Sequence, residues 1–130
     1  MSGQGAEKKS AAHIIASASK ESLARVSLSP DQIESGSPET GILELADFAG
    51  VSMGIWEHTQ GVSTDTEVDE VFIVVSGGAT IEFTDGDIAP LAVEAGDIVR
   101  LAAGAKTRWI VPDHIRKVYL IPAQRLDTPT

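Results

Sequence analysis

Between residues 41 and 121, short runs of β-branched and apolar residues alternate with Gly, Asp and Pro, and no stretch has the period of a long amphipathic helix. This spacing constrains the fold more than any other feature. Runs at 41–48, 52–58, 68–75, 79–83, 88–93, 97–101, 108–111 and 115–121 read as strands. Thr84-Asp85-Gly86-Asp87 reads as a tight hairpin, because Asp-Gly takes up positive φ readily. Ser76-Gly77-Gly78 and Glu94-Ala95-Gly96-Asp97 read as turns for the same reason, and residues 111–114 as the close of the last hairpin. Evenly spaced short strands predict an all-β sandwich or barrel.

The chain has 130 residues, enough for one domain with a real core. It contains no cysteine, which excludes disulfides and thiolate chemistry. No apolar run approaches the ~20 residues of a membrane helix. Lys8-Lys9 followed by residues 11–16 faintly imitates a signal peptide, but His13 and Ser17 break the apolar stretch, so a cytoplasmic location is the expectation.

Charge is segregated. Residues 26–99 carry fifteen acids and no Lys or Arg, whereas residues 100–130 carry six bases and two acids, within a net charge of −9. Nucleic acid is not an expected partner, since phosphate binding needs a basic face. The late cations Arg100, Lys106, Arg108, Arg116 and Lys117 are expected to neutralise acidic strands or an anionic ligand.

Three segments are expected: an N-terminal arm (1–40), a barrel (41–123) and a short C-terminal tail (124–130). Turns at Ser29-Pro30-Asp31 and Ser35-Gly36-Ser37-Pro38 separate arm from barrel, and Ile14, Ile15, Ala18 and Leu23 give the arm a weak helical stripe. Such an arm is expected to pack on a partner subunit, which makes a homodimer the expected assembly.

The stretch Gly54-Ile55-Trp56-Glu57-His58-Thr59-Gln60-Gly61 resembles the G-x-W-E-x-T-P-G signature of the cupin-3 family. That family holds the ethanolamine-utilisation cupin and (S)-ureidoglycine aminohydrolase-like cupin domains. Asp69-Glu70-Val71-Phe72, Ser76-Gly77, Ala95-Gly96-Asp97, Ala103-Gly104 with Trp109, and Arg116-Lys117-Val118-Tyr119 extend the resemblance in order. It implies a double-stranded β-helix, the cupin jelly-roll barrel, usually dimeric. The superfamily motifs G-x5-H-x-H-x3/4-E-x6-G and G-x5-P-x-G-x2-H align Glu70 with their glutamate. The histidine positions fall on Thr64 and Thr66 (or Ser63 and Asp65 with the longer gap) and on Thr107, and Ala102 replaces the proline.

Hydroxyls are weak donors to transition ions, so no metal or other cofactor is expected. A non-standard metal site joining His58 and Glu70 is the weaker alternative. Trp56 and His58 share one strand face, as do Thr107 with Trp109 and Lys117 with Tyr119. Thr64, Thr66, Glu70, Thr107, Trp109, Tyr119 and Trp56 are the expected ligand contacts, while Lys117 is expected on the solvated outer face. Two readings follow. One is a barrel that binds a small polar or anionic metabolite. The other is an enzyme, a hydrolase, isomerase or lyase of ureidoglycine aminohydrolase type, with Glu70 as general acid/base and His58 as second base.

Overall fold

The structure, a computed structural model, describes residues 13–123. Three long strands form its frame: β4 (Val51–Thr66), β5 (Glu70–Phe83) and β8 (Lys106–Pro122). Shorter strands complete it: β1 (Arg25–Ser27), β2 (Ile33–Gly36), β3 (Glu39–Glu44), β6 (Leu91–Glu94) and β7 (Ile98–Leu101). All pairings are antiparallel, and β8 lies between β4 and β5.

Each long strand bends and serves two walls. In one wall, β1 pairs β3, β3 pairs residues 54–58 of β4, and residues 115–120 of β8 join β4 to the start of β5, which β7 flanks. In the other, β2 pairs residues 61–63 of β4, residues 107–110 of β8 pair the end of β5, and β6 closes the edge. Phe72, Val74, Ile81, Leu101, Val111 and Ile115 fill the space between the walls, each at most 2% exposed. This is the double-wound all-β barrel that the strand spacing and the family resemblance predict.

The bends correct part of the sequence reading. Ser76-Gly77-Gly78 is no turn between strands, and residues 111–114 close no hairpin. Both lie inside continuous strands, at register shifts between Val74 and Ser76, between Gly77 and Thr80, and between Thr59 and Gly61. An extra residue in one partner bends and twists a ladder without ending it. Pro112, which has no N–H to give, sits where pairing with β4 lapses between Val111 and His114. Gly77 has φ 71°, and a Cβ there would run into the His114 carbonyl oxygen, so the corner demands glycine. The predicted tight hairpin at Asp85-Gly86 is a wider connection, since the last β5–β6 pair is Ile81 with Leu91. The Glu94–Asp97 turn forms as expected, with Asp97 N–H donating to Glu94 O at 3.0 Å and Glu94 N–H to the Asp97 carboxylate at 2.9 Å.

Residues 25–36, grouped with the arm on sequence grounds, supply β1, β2 and the 3-10 turn Pro30–Gln32 to this chain's own barrel. The stripe Ile14, Ile15, Ala18, Leu23 makes no helix. So short a segment does not recover the cost of nucleation, and Arg116 takes up its carbonyls, donating to Ala18 O at 2.9 Å and Glu21 O at 2.8 Å. The start of the arm (1–12) and the tail (124–130) lie outside the described residues.

Candidate functional site

Strand parity decides which side chains enter the barrel. Register places Trp56 opposite Lys117, Gly54 opposite Tyr119, and Phe72 opposite Tyr119 on the other side of β8. These residues share the inner face of the first wall. A Cβ at position 54 would collide with the Tyr119 phenol, so glycine there gives the ring its place. In the second wall Ser63 faces Trp109 and Asp65 faces Thr107. Between the walls lies a cavity of about 590 Å³, lined by Trp56, His58, Ser63, Asp65, Glu67, Glu70, Trp109, Lys117 and Tyr119, with Thr40, Ile42, Glu44 and Val68 among the residues toward its mouth.

At its floor Lys117 Nζ lies 2.7 Å from Glu70 Oε2, and both side chains are at most 7% exposed. The expectation of a solvated Lys117 is therefore corrected. Its ammonium also sits 4.2 Å from the Phe72 ring centroid, 4.4 Å from that of Trp56 and 4.9 Å from that of Trp109. A buried ammonium needs such company, because loss of water costs far more than one ring returns.

His58 is 1% exposed and accounted for at both nitrogens: Nδ1 meets Thr59 O at 2.7 Å and Nε2 meets Ser63 Oγ at 2.8 Å. A carbonyl can only accept, so Nδ1 carries the proton and Nε2 accepts from the serine hydroxyl. Burial lowers the His58 pKa; the Thr59 carbonyl opposes that shift, and nearby Lys117 adds to it. The ring is a neutral internal brace. With its free lone pair taken by Ser63, it is poorly placed as a base or a metal ligand.

The predicted threonines divide. Thr64 and Thr66 border the cavity, but register sets them opposite Arg108 and Lys106, on the other face from Ser63 and Asp65. The alternative alignment, with Ser63 and Asp65 in the histidine positions, is the one that points inward. Thr64 Oγ1 donates to Gln32 O at 3.5 Å, and Thr66 is exposed at the rim. Thr107 is 1% exposed and lies behind the cavity wall, where its hydroxyl donates to Glu67 Oε2 at 2.6 Å.

Glu67 is the residue that the sequence reading missed. It sits in the β4–β5 connection, 6% exposed, and its Oε2 also accepts from Trp109 Nε1 at 3.0 Å. Its local signal is slight, one more acid in an acidic loop. Lys117 had a clear signal: it must share a face with Tyr119, so placing the phenol inside places the lysine there too. Partial burial raises the Asp65 pKa, and Glu67 adds to the rise. Burial, then Glu44 and Glu70, raise that of Tyr119. No three His, Cys, Asp or Glu side chains among the described residues gather closely enough to hold a metal ion.

A second concavity, about 720 Å³, lies on the outer face beside the arm. It is wider but open, and its charges are mutually satisfied. Glu57 takes Arg25 at 2.5 Å and Arg116 at 2.7 Å, and His114 lies between Asp113 at 2.7 Å and Ser76 at 3.1 Å. His114 is thus locally hydrogen-bonded. The inner cavity, where carboxylates outnumber cations, is the better candidate site.

Comparison with known proteins agrees with this architecture. The family model of the EutQ-like cupin domain matches residues 45–119, more than half of the chain. The chain belongs to this family. Among solved cupin-fold structures, the EutQ protein of Clostridium difficile is 21% identical with a TM-score of 0.57, over 67% of this chain and 65% of that one. A Pseudomonas syringae pv. tomato protein of unknown function is 22% identical with a TM-score of 0.66, over 77% and 44%. A putative ethanolamine utilization protein Q from Salmonella typhimurium is 15% identical with a TM-score of 0.55, over 81% and 99%. The chain therefore spans less than two thirds of the first two, and identities this low establish the cupin fold alone. No curated protein is similar enough in sequence to count as a match.

Proposed function

We propose that this EutQ-like cupin domain binds a small polar metabolite in the cavity of about 590 Å³ between its walls. One observation carries the reading: a buried Lys117–Glu70 ion pair at 2.7 Å stands on the floor of a cavity walled by Trp56, Trp109 and Tyr119. An apolar cavity with a few convergent polar groups is the general form of a ligand site. Replacing a buried pair by well-packed apolar side chains is often neutral or stabilising, so stability alone gives this barrel no need of one.

The experiment exposes the purified protein to a cell extract of small molecules and reads bound masses by native mass spectrometry. The expected result is a discrete bound species, retained by the wild type and lost when Glu70→Gln and Lys117→Met are combined. A species that survives in the folded double variant, or binds only through Arg25 and Arg116 on the outer face, overturns the proposal.

The enzyme reading keeps one supporting observation. Glu70 gives Oε2 to Lys117 and lines the cavity, and its Oε1, with no described bond, is the oxygen that would take a substrate proton. Once the occupant is known, Glu70→Gln separates the two: binding kept with turnover lost supports catalysis, and turnover unchanged refutes it. A cytoplasmic homodimer remains our proposed setting, tested by the mass of the assembly in solution.

A further inference from the structure

The cavity holds more negative charge than the protein compensates. Asp65, Glu67 and Glu70 line it, and Lys117 is the one ammonium among its lining residues; His58 is braced as a neutral ring. Glu67 and Glu70 are each 6% exposed, yet each gives all its described bonds to a single oxygen: Glu67 Oε2 takes Thr107 and Trp109, and Glu70 Oε2 takes Lys117. No fully buried polar atom among the described residues lacks a partner, so each Oε1, with no described bond, keeps some exposed surface, and both residues line the cavity. Two carboxylates that line one cavity thus each keep an oxygen without a described partner, and Glu67 has only neutral donors behind it. Unpaired buried charge is costly, and the arrangement gains stability when a cation enters.

The shape of the site says which kind of cation. The acids are too dispersed to close around a metal ion, whereas the rings of Trp56 and Trp109 meet edge to face at 5.4 Å beside them. Lys117 Nζ, 4.4 and 4.9 Å from their centroids, already shows that these rings accept an ammonium, and the carboxylate oxygens accept the N–H bonds of an amine or guanidine. We infer that the cavity selects a small organic cation, an amine or guanidine, held between the free oxygens of Glu67 and Glu70 and the Trp56–Trp109 wall. This rests on the lumenal site proposed above; of the two roles expected for the late cations, neutralising acidic strands or an anionic ligand, it favours the first. Those cations act elsewhere: Arg108 pairs Glu34 and Glu82 at 2.6 and 2.8 Å, and Arg116 pairs Glu57.

Matched probes of one size test it on the full chain: butylammonium and butylguanidinium against butyrate and 1-butanol, by calorimetry and tryptophan fluorescence. The two cations are expected to bind at least tenfold more tightly than butyrate, and Glu67→Gln to weaken them about tenfold while leaving 1-butanol unchanged. Asp65→Asn, at the exposed mouth, gives a second variant that leaves the buried core intact, with a smaller loss in the same direction. Butyrate or 1-butanol binding as tightly as the cations, with a change in the Trp56 and Trp109 signal, overturns the charge selection and leaves the lumenal site standing. Cation binding unaffected by either variant overturns it as well, and so does failure of both cations to bind.

Discussion

Lys117→Met tests the buried pair most severely. The substitution keeps the length and the apolar stem of the side chain but strands Glu70, 6% exposed, with Glu67 and Asp65 lining the same cavity. Removing one partner of a buried pair costs roughly 3–5 kcal/mol, because the remaining charge keeps its desolvation penalty without its partner. The ammonium's attraction to three rings within 4.9 Å is lost too, about another 0.5–1 kcal/mol. For a domain of this size each kcal/mol moves the melting temperature by ~3–6 °C, so a fall of roughly 10–35 °C is expected. Glu70→Gln is expected to cost less, since the amide oxygen still accepts from Lys117 and the rings remain. Combining Lys117→Met with Glu70→Met should recover most of the loss, giving a coupling energy of ~2 kcal/mol or more. The assay is urea unfolding of the wild type, Lys117→Met, Glu70→Met and the double variant, with Glu70→Gln alongside. A deficit below ~1 kcal/mol would refute the reasoning.

Other substitutions probe the supports of the site. Thr107→Val removes the 2.6 Å bond to the Glu67 carboxylate and should destabilise by ~1.5–3 kcal/mol in urea unfolding. Gly77→Ala should prevent folding or cost more than ~3 kcal/mol, since both the positive φ and the His114 carbonyl oppose a side chain there, with circular dichroism as the readout. For His58 the folded pKa lies below the ordinary 6.5, so on acidification the unfolded chain takes the proton first. Its contribution is full above about pH 6.5 and fades below it. His58→Gln should flatten that part of the stability curve, and an unchanged acid slope would contradict a buried neutral ring.

Much of the barrel was legible because period-2 alternation and turn residues are local signals. Asp97, Gly96 and the strands around them needed no distant information. The long bent strands were not legible, because a glycine at a bulge and a glycine at a turn look alike. Gly77 is understood only once the His114 carbonyl is seen against it, a contact made across the sheet. The site was half legible. Trp56, Glu70, Trp109 and Tyr119, expected as ligand contacts, line the inner cavity, whereas Lys117 was expected outside although parity ties it to Tyr119. Thr64 and Thr66 differ from Ser63 and Asp65 by one residue of register, which motif spacing with a variable gap does not fix. Glu67 had no periodic signal at all, since it stands between strands and is held by Thr107 and Trp109 from a distant strand.

Trp56 and Trp109 are the chain's two tryptophans, and both line the inner cavity. Their indole N–H resonances therefore report directly on it during a titration with any bound metabolite. Lumenal binding predicts that both indole signals shift together while the backbone amides of His114 and Arg116, at the outer groove, stay still. Saturable binding that moves those amides and leaves both indoles unchanged would contradict the account.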